Sequence, residues 1–415
     1  MNRFTGNFTR QEPLPEAAIE AALRVMRHGR LHRYNVVDGE QSETAALEVE
    51  FAAFTGAKYC LAVASGGYAL AAALRALGVG PGDRVLTNAF TLAPVPGAIA
   101  SLSADPVFIE TTDDLVMDLA DLKAKIAISG AKILMLSHMR GHICDMDRLM
   151  AICDTAGVRV VEDCAHTMGA TWDGVPSGRH GIIGCYSTQS FKHVNSGEGG
   201  LLITDDPQVM ARAIMLSGSY MFYERHEAAP GPEVFETIRL EMPNCSGRMD
   251  NLRAAILRPQ LAALPSRRLR WNALFQRLES GLAATRGVRI IPRPEKEGYV
   301  MSSFQFLCPD FDTFQMQDLV ARCAARGVVL KWFGATEPAG FTSRYDSWHY
   351  VPAQKLPQTD RVLAGLLDMR LPLTFSDADA DMIAAILREE LAAVRGPGPS
   401  RTALPAFCAG PDTGD

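Results

Sequence analysis

The chain of 415 residues has room for two or three domains at roughly 100–200 residues each, and its 47% hydrophobic and 21% charged residues exclude disorder over most of its length. Its 47 acids and 41 bases leave a net charge of -6 with no run of one sign, which argues against a nucleic-acid partner. Nine cysteines, an odd number without a CxxC pair, offer neither a disulfide framework nor a thiolate zinc site; a reducing cytoplasm and no metal are expected.

In chain order, the opening MNRFTGNFTRQEPLPEAAIE never assembles the apolar core of a secretory signal, so the protein is expected to stay in the cytoplasm. From about residue 58, short apolar runs alternate with longer amphipathic ones, the α/β rhythm of strands and helices. A strand at 60–64 enters the turn Ser65-Gly66-Gly67 and then the helix former YALAAALRAL, stopped by Gly78. Further strands are expected at 85–87, 106–109, 133–137, 159–162, 185–188 and 201–204, most of them apolar on both faces, as in a sheet covered by helices. The longest uncharged stretch, between Arg84 and Asp105, carries Asn88, Pro94 and Pro96, which argues against a membrane helix. After about residue 250 a long helical stretch runs on despite Pro259. Strands at 288–291, 303–307 and 328–331 and helices at 316–326 and 378–395 then make a smaller α+β domain. The expected division is a large domain over 1–255, a small one over 256–395 and a mobile Pro/Gly-rich tail over 396–415.

Three pieces carry the chemistry. In VVEDCAHTMGA, Asp163 follows an apolar strand and stands at its carboxyl end, where open α/β sheets bind ligands; capping the next helix would serve equally well. In CYSTQSFKHVNSGEGGLLITDD, Lys192 sits in a polar, glycine-rich loop between two strands, although most lysines are surface charges. In ASGGYAL, a small-residue turn opens a helix whose N–H groups suit a phosphate. The glycines of GVGPGD follow a helix and not a strand, which disfavours a dinucleotide fold.

Taken in order, these pieces resemble the DegT/DnrJ/EryC1/StrS family of pyridoxal-phosphate (PLP) aminotransferases, which aminate keto-sugars and keto-cyclitols. The resemblance rests on FAAFTGAKYCLAVASGGYALAAALRALGVGPGDRVL, HMRGHICDMDRLMAICDTAGVRVVEDCAHTMGA, the Lys192 loop with its GEGG, and GRMDNLRAAILRPQL. It implies a fold-type I transferase: a large domain with a mainly parallel seven-stranded sheet, a smaller C-terminal domain, and a homodimer with its active sites at the interface. It also implies that Lys192 forms the Schiff base with the cofactor and moves the proton, and that Asp163 holds the ring nitrogen protonated. By the same likeness Gly67, Tyr68 and Ser187 receive the phosphate.

Four positions depart from the family pattern. His166 replaces a glutamine near the phenolic oxygen and would add pH sensitivity. Gly67 replaces a threonine. Leu92 replaces an aromatic, leaving Leu92 or Phe90 to cover the ring. Ser246 replaces the asparagine that reaches the partner's phosphate, a role Asn244 would otherwise take.

For the substrate, Arg140 and His142 stand in a loop after a strand, with Arg140 either clamping a carboxylate or phosphate or pairing with Asp145 or another acid. Arg30, His32, Arg33 and Tyr34 lie where family members approach the sugar, and Arg248 lies in the later interface motif. Trp332, Trp348 and His349 either wall the pocket or belong to the core. The leading expectation is an aminotransferase passing nitrogen from glutamate or glutamine to a keto-sugar or keto-cyclitol. The alternatives are a small keto acid as acceptor, which Arg140 favours, a catalytically divergent PLP-binding protein, and a keto-sugar dehydratase, which the retained Lys192 disfavours.

Overall fold

The computed structural model describes residues 2–37 and 39–396; the expected tail beyond 396 lies outside the described residues. Two helices, α1 (Glu16–His28) and α2 (Glu43–Thr55), precede an alternating series. That series runs β1 (Tyr59–Val63), α3 (Gly66–Ala76), β2 (Arg84–Asn88), α4 (Pro94–Ala100), β3 (Asp105–Ile109), α5 (Leu119–Ser129), β4 (Ile133–Ser137), α6 (Met146–Ala156) and β5 (Arg159–Asp163). The short strands β6 (Thr171–Trp172) and β7 (Val175–Pro176) lead to β8 (Ile183–Ser187), β9 (Gly200–Thr204) and α7 (Pro207–Ser217). Side chains mark many helix starts: Ser65 accepts from the Tyr68 N–H, Asp145 from that of Arg148 and Asp250 from that of Arg253.

All seven long strands join one sheet in the order β1-β9-β8-β5-β4-β2-β3. Only β9 runs antiparallel to its neighbours, while the pairs from β8 to β3 are parallel. The expected mainly parallel sheet is therefore present. Strands such as β4 and β8 are buried at every position, since helices cover both faces. Parallel alignment has a functional consequence: Ser137, Asp163 and Ser187 end their strands on the same edge of the sheet.

Helix α8 (Asn251–Leu282) continues unbroken through Pro259 and Pro265. Its face of Leu257, Leu261, Leu264, Trp271, Phe275 and Leu278 is buried, and at about 1.5–3 kcal/mol per large apolar side chain this offsets about 3 kcal/mol per interior proline. Beyond it come β10 (Arg289–Ile290), β11 (Glu297–Gly298), β12 (Ser303–Leu307), α9 (Thr313–Ala325), β13 (Lys331–Trp332), α10 (Pro357–Ala364), β14 (Leu366–Arg370) and α11 (Asp377–Arg395). Four of these strands form an antiparallel sheet, β10-β12-β14-β13. Of the expected strand at 328–331, only Lys331 lies in β13. Strand β14, at the heart of this sheet, has no counterpart among the expected elements. Strand β11 pairs with β6 and so ties the second half of the chain to the first.

Candidate active site

The cleft is built at the carboxyl edge of the large sheet. It has a volume of about 440 Å³ and is lined by Gly66, Gly67, Asp163, His166, Ser187 and Lys192, with Leu92 on one wall. Strand β1 feeds the turn before α3, and α3 starts against the end of β8. A Cβ on Gly66 would come 2.7 Å from the Cβ of Ser187, so only glycine permits this approach. The positive end of α3 and the Ser187 hydroxyl thereby share one wall, a cup suited to a phosphate.

Asp163 ends β5. Its carboxylate accepts the Ser137 hydroxyl at 2.9 Å and the Ala165 N–H at 3.1 Å. Ser137 is itself pinned by reciprocal bonds with the Asn88 side chain at 2.9 and 3.0 Å. The carboxylate is thus held in a fixed direction. Lys192 lies in the loop between β8 and β9, closed by the Thr188 N–H to Gly199 and the Ser196 N–H to Thr188. At Gly199, φ +149°, a Cβ would fall 2.2 Å from the Thr188 hydroxyl, so the loop requires a glycine there.

Lys192 Nζ lies 3.1 Å from His166 Nε2. Burial drives the Lys192 amine down to about 7, with Arg140, Arg370 and Lys331 adding to the fall and Asp163 opposing it. Burial, followed by the charge of Lys192, holds His166 well below the usual histidine range. His166 is therefore neutral at physiological pH, and the pH sensitivity expected of it belongs to Lys192.

The other expected residues separate into distinct places. Tyr68 is not at the cleft: its N–H is taken by Ser65 Oγ at 3.1 Å and its hydroxyl donates to Leu216 O at 2.7 Å. Phe90 is buried edge-on against Phe333 at 5.1 Å, which leaves Leu92 as the residue facing the cleft. Asn244 and Ser246 are exposed and bonded to each other, away from the cleft of their own chain.

Arg33 and Tyr34 are corrected from substrate residues to parts of a buried cluster. Arg33 makes a bidentate pair with Glu48 at 2.8 and 2.9 Å, and Tyr34 bonds His226 at 2.7 Å. A wholly buried carboxylate requires such partners. His142 is likewise consumed, between Gln305 at 3.0 Å and Arg293 at 2.6 Å. Arg140 pairs at 2.8 Å with Asp368, an acid on β14, and not with Asp145, which caps α6. Arg248 donates to Gly218 O at 2.8 Å, and Arg30 pairs with Glu40. Trp332 and Trp348 pack among apolar side chains, and His32 and His349 lie outside the cleft lining.

His138, Glu162 and Cys164 group closely enough to resemble a metal-ligand set. Glu162, however, already accepts His138 and the N–H groups of Gly178, His180 and Gly181 at 2.7–3.0 Å, and these bonds shape the loop before β8. Sequence reading passed over Arg370, His193 and Phe341, which border Lys192. Arg370 was detectable as a charge inside the apolar run LLDMRLPL, and His193 as the immediate neighbour of Lys192.

A family model, the DegT/DnrJ/EryC1/StrS aminotransferase family, matches residues 16–388. The chain belongs to the DegT/DnrJ/EryC1/StrS aminotransferase family. Among relatives, the chain is 31% identical over 277 residues to an L-glutamine:2-deoxy-scyllo-inosose aminotransferase of Streptoalloteichus tenebrarius, covering 66% of this chain and 64% of that one. It is 34% identical over 225 residues to a UDP-N-acetyl-3-dehydro-alpha-D-glucosamine 3-aminotransferase of Acidithiobacillus ferrooxidans, covering 52% and 57%. The matches thus span about three fifths of these relatives' length. The fold is that of the aminotransferase TlmJ from Streptoalloteichus hindustanus, with TM-score 0.80 and 24% identity over 94% of this chain and all of that one. For a DegT/DnrJ/EryC1/StrS member, the residues that the cleft brings together are one lysine, one carboxylate and one helix start.

Proposed function

We propose that the protein is a PLP-dependent aminotransferase that moves nitrogen from an amino acid, glutamate or glutamine, to a ketone on a sugar or cyclitol. The supporting names are those of the two relatives above, both aminotransferases whose named substrates are a cyclitol ketone and a keto-sugar nucleotide. The observation that carries the reading is a single cleft holding the Lys192 amine, the fixed Asp163 carboxylate and the α3 start beside Ser187.

These residues fit the cofactor. With its amine lowered to about 7, Lys192 would offer the neutral form that reacts with an aldehyde in the neutral pH range. Asp163, oriented by Ser137, would hold a proton on the ring nitrogen, and Gly66, Gly67 and Ser187 would hold the phosphate. Leu92 would lie against the ring, and neutral His166 would donate towards the phenolic oxygen. When bound, the cofactor supplies the electron sink for the carbon that gives up its proton. Lys192, released by the amino donor, would carry that proton as base and then acid.

The reading includes a homodimer. The exposed Tyr220, Met221 and Phe222, next to Tyr34 and Arg248, form an apolar surface that an interface would cover. Asn244 and Ser246 would reach the partner's cleft from this side. We place the cofactor domain over 1–255 and the small domain over 256–395, and the site of action in the cytoplasm. Among the described residues no helix is long and apolar enough to cross a membrane.

The test is the first half of the reaction. Holoprotein mixed with L-glutamate or L-glutamine should pass from the pyridoxal to the pyridoxamine spectrum, and Lys192→Ala should not. Bound cofactor that neither donor converts would favour a divergent binding protein.

A further inference from the structure

Behind Lys192 and His166 the cleft opens into a second, smaller chamber of about 100 Å³. Arg140, Arg267, His193, Arg370 and Ser303 are among its walls, whereas Gly66, Gly67, Asp163 and Ser187 are not. The chamber is therefore separate from the expected phosphate cup.

Its chemistry is unbalanced. Arg370 lies over the ring of Phe191 at 3.5 Å from the centroid, with Phe341 at 5.7 Å, and forms no ion pair among the described residues. Arg140 is buried at 7% exposure; it sits 2.8 Å from Asp368 without hydrogen-bond geometry, and its Nε is also without a partner. Lys331 Nζ stands 3.7 Å from the same carboxylate, again unbonded. One buried acid behind the wall, Asp368, thus faces both Arg140 and Lys331, and the acid on the wall itself, Glu12, is paired with Arg270 at 2.6 Å, which leaves Arg370 without an acid of its own among the described residues. His193, at 2% exposure, has both ring nitrogens unpartnered, its ring edge set against Trp271 at 5.1 Å. Buried cations and an orphaned imidazole are costly unless something pairs with them. The groups and the opening to Lys192 supply a place for a counter-charge.

We propose that this chamber binds a small oxyanion, a carboxylate or phosphate monoester, borne by the amino donor or the keto acceptor. Arg370 and His193 are its direct donors, and Arg140 and Lys331 supply the surrounding positive field. A space of this size holds a few water-sized groups, so it takes the acidic end of a molecule whose reacting part lies in the adjoining cleft. The inference rests on the aminotransferase reading, because it assigns the reacting carbon to Lys192 and the acidic end of the substrate to the chamber.

The test uses isothermal titration of the holoprotein with succinate and with inorganic phosphate. At least one should bind the wild type, Arg370→Gln should weaken it by about tenfold or more, and Arg370→Lys should restore part of the loss. His193→Phe, which keeps the contact with Trp271, should weaken the same anion, and matching circular dichroism keeps misfolding apart from lost binding. Two kinetic arms identify the source: Arg370→Gln slows conversion by L-glutamate if the donor carries the oxyanion, and slows return by an acidic ketone but not by a neutral keto-cyclitol if the acceptor does. Absence of binding to the wild type, or equal binding by wild type and Arg370→Gln, would overturn the proposal. Failure of the wild type to bind PLP would instead sink the aminotransferase reading, and the same titration of the cofactor-free protein would then report on the chamber alone.

Discussion

Lys192 Nζ and His166 Nε2 meet at 3.1 Å inside the cleft, where burial lowers the amine to about 7 and, with the charge of Lys192, holds the imidazole well below the usual histidine range. The contact orients the amine without the cost of a second buried cation. In His166→Gln a polar partner remains, and the half-reaction should stay within about fivefold of wild type; in His166→Ala it should fall by about ten- to a hundredfold. Stopped-flow absorbance with L-glutamate measures both.

The depressed Lys192 amine sets a pH dependence. If Lys192 holds the cofactor, its neutral form would be the one that reacts with the aldehyde, so the rate at which apoprotein captures PLP should rise with pH and level off above about 7, far below an ordinary lysine. Asp163 supports the ammonium form, so Asp163→Asn should move the midpoint to lower pH. The rate of appearance of the visible band, followed across the neutral range, gives the midpoint directly.

Gly66 tests the phosphate cup. The Cβ of Gly66→Ala would collide with Ser187, 2.7 Å away, and push the α3 start off the strand end. Strain of about 1–3 kcal/mol should appear as cofactor binding weaker by about ten- to a hundredfold, measured by equilibrium dialysis of PLP, with the fold intact by circular dichroism.

The buried pair of Glu48 and Arg33 stabilises the fold at a distance from the chemistry. Burial alone would raise the Glu48 carboxyl, but Arg33 and then His226 hold it down to about 2. With the folded value depressed, this contribution is present above the unfolded carboxylate range near 4.5 and is lost as pH falls towards 2. Glu48→Gln should cost about 3–5 kcal/mol by stranding Arg33, and the pairing Glu48→Gln with Arg33→Met should recover part of it. Urea unfolding at neutral and acid pH checks both statements.

The large sheet was legible because its strands are apolar on both faces and recur at a steady spacing. Asp163 was legible as an acid at the carboxyl end of an apolar strand, whereas Lys192, in the loop after β8, was marked by the family resemblance of its GEGG segment and not by geometry. Strand β14 was hidden by its own chemistry: Asp368 and Arg370 break the apolar run, yet Asp368 is wholly buried because Gln305 and Arg140 meet it there. The family resemblance places Arg33, Tyr34 and His142 near a substrate, and their burial was hidden because their partners, Glu48, His226 and Gln305, are 15 to 193 residues away in the chain. The anion chamber was invisible for the same reason: it joins a turn after β4, the Lys192 loop and β14.

The central claim is that Lys192 holds the cofactor in the cleft. Borohydride reduction of the PLP-loaded protein, followed by peptide mapping, should place one pyridoxyl group per chain on Lys192, and none in Lys192→Ala. A stable pyridoxyl adduct on another lysine, or PLP bound with Lys192 unmodified, would contradict it.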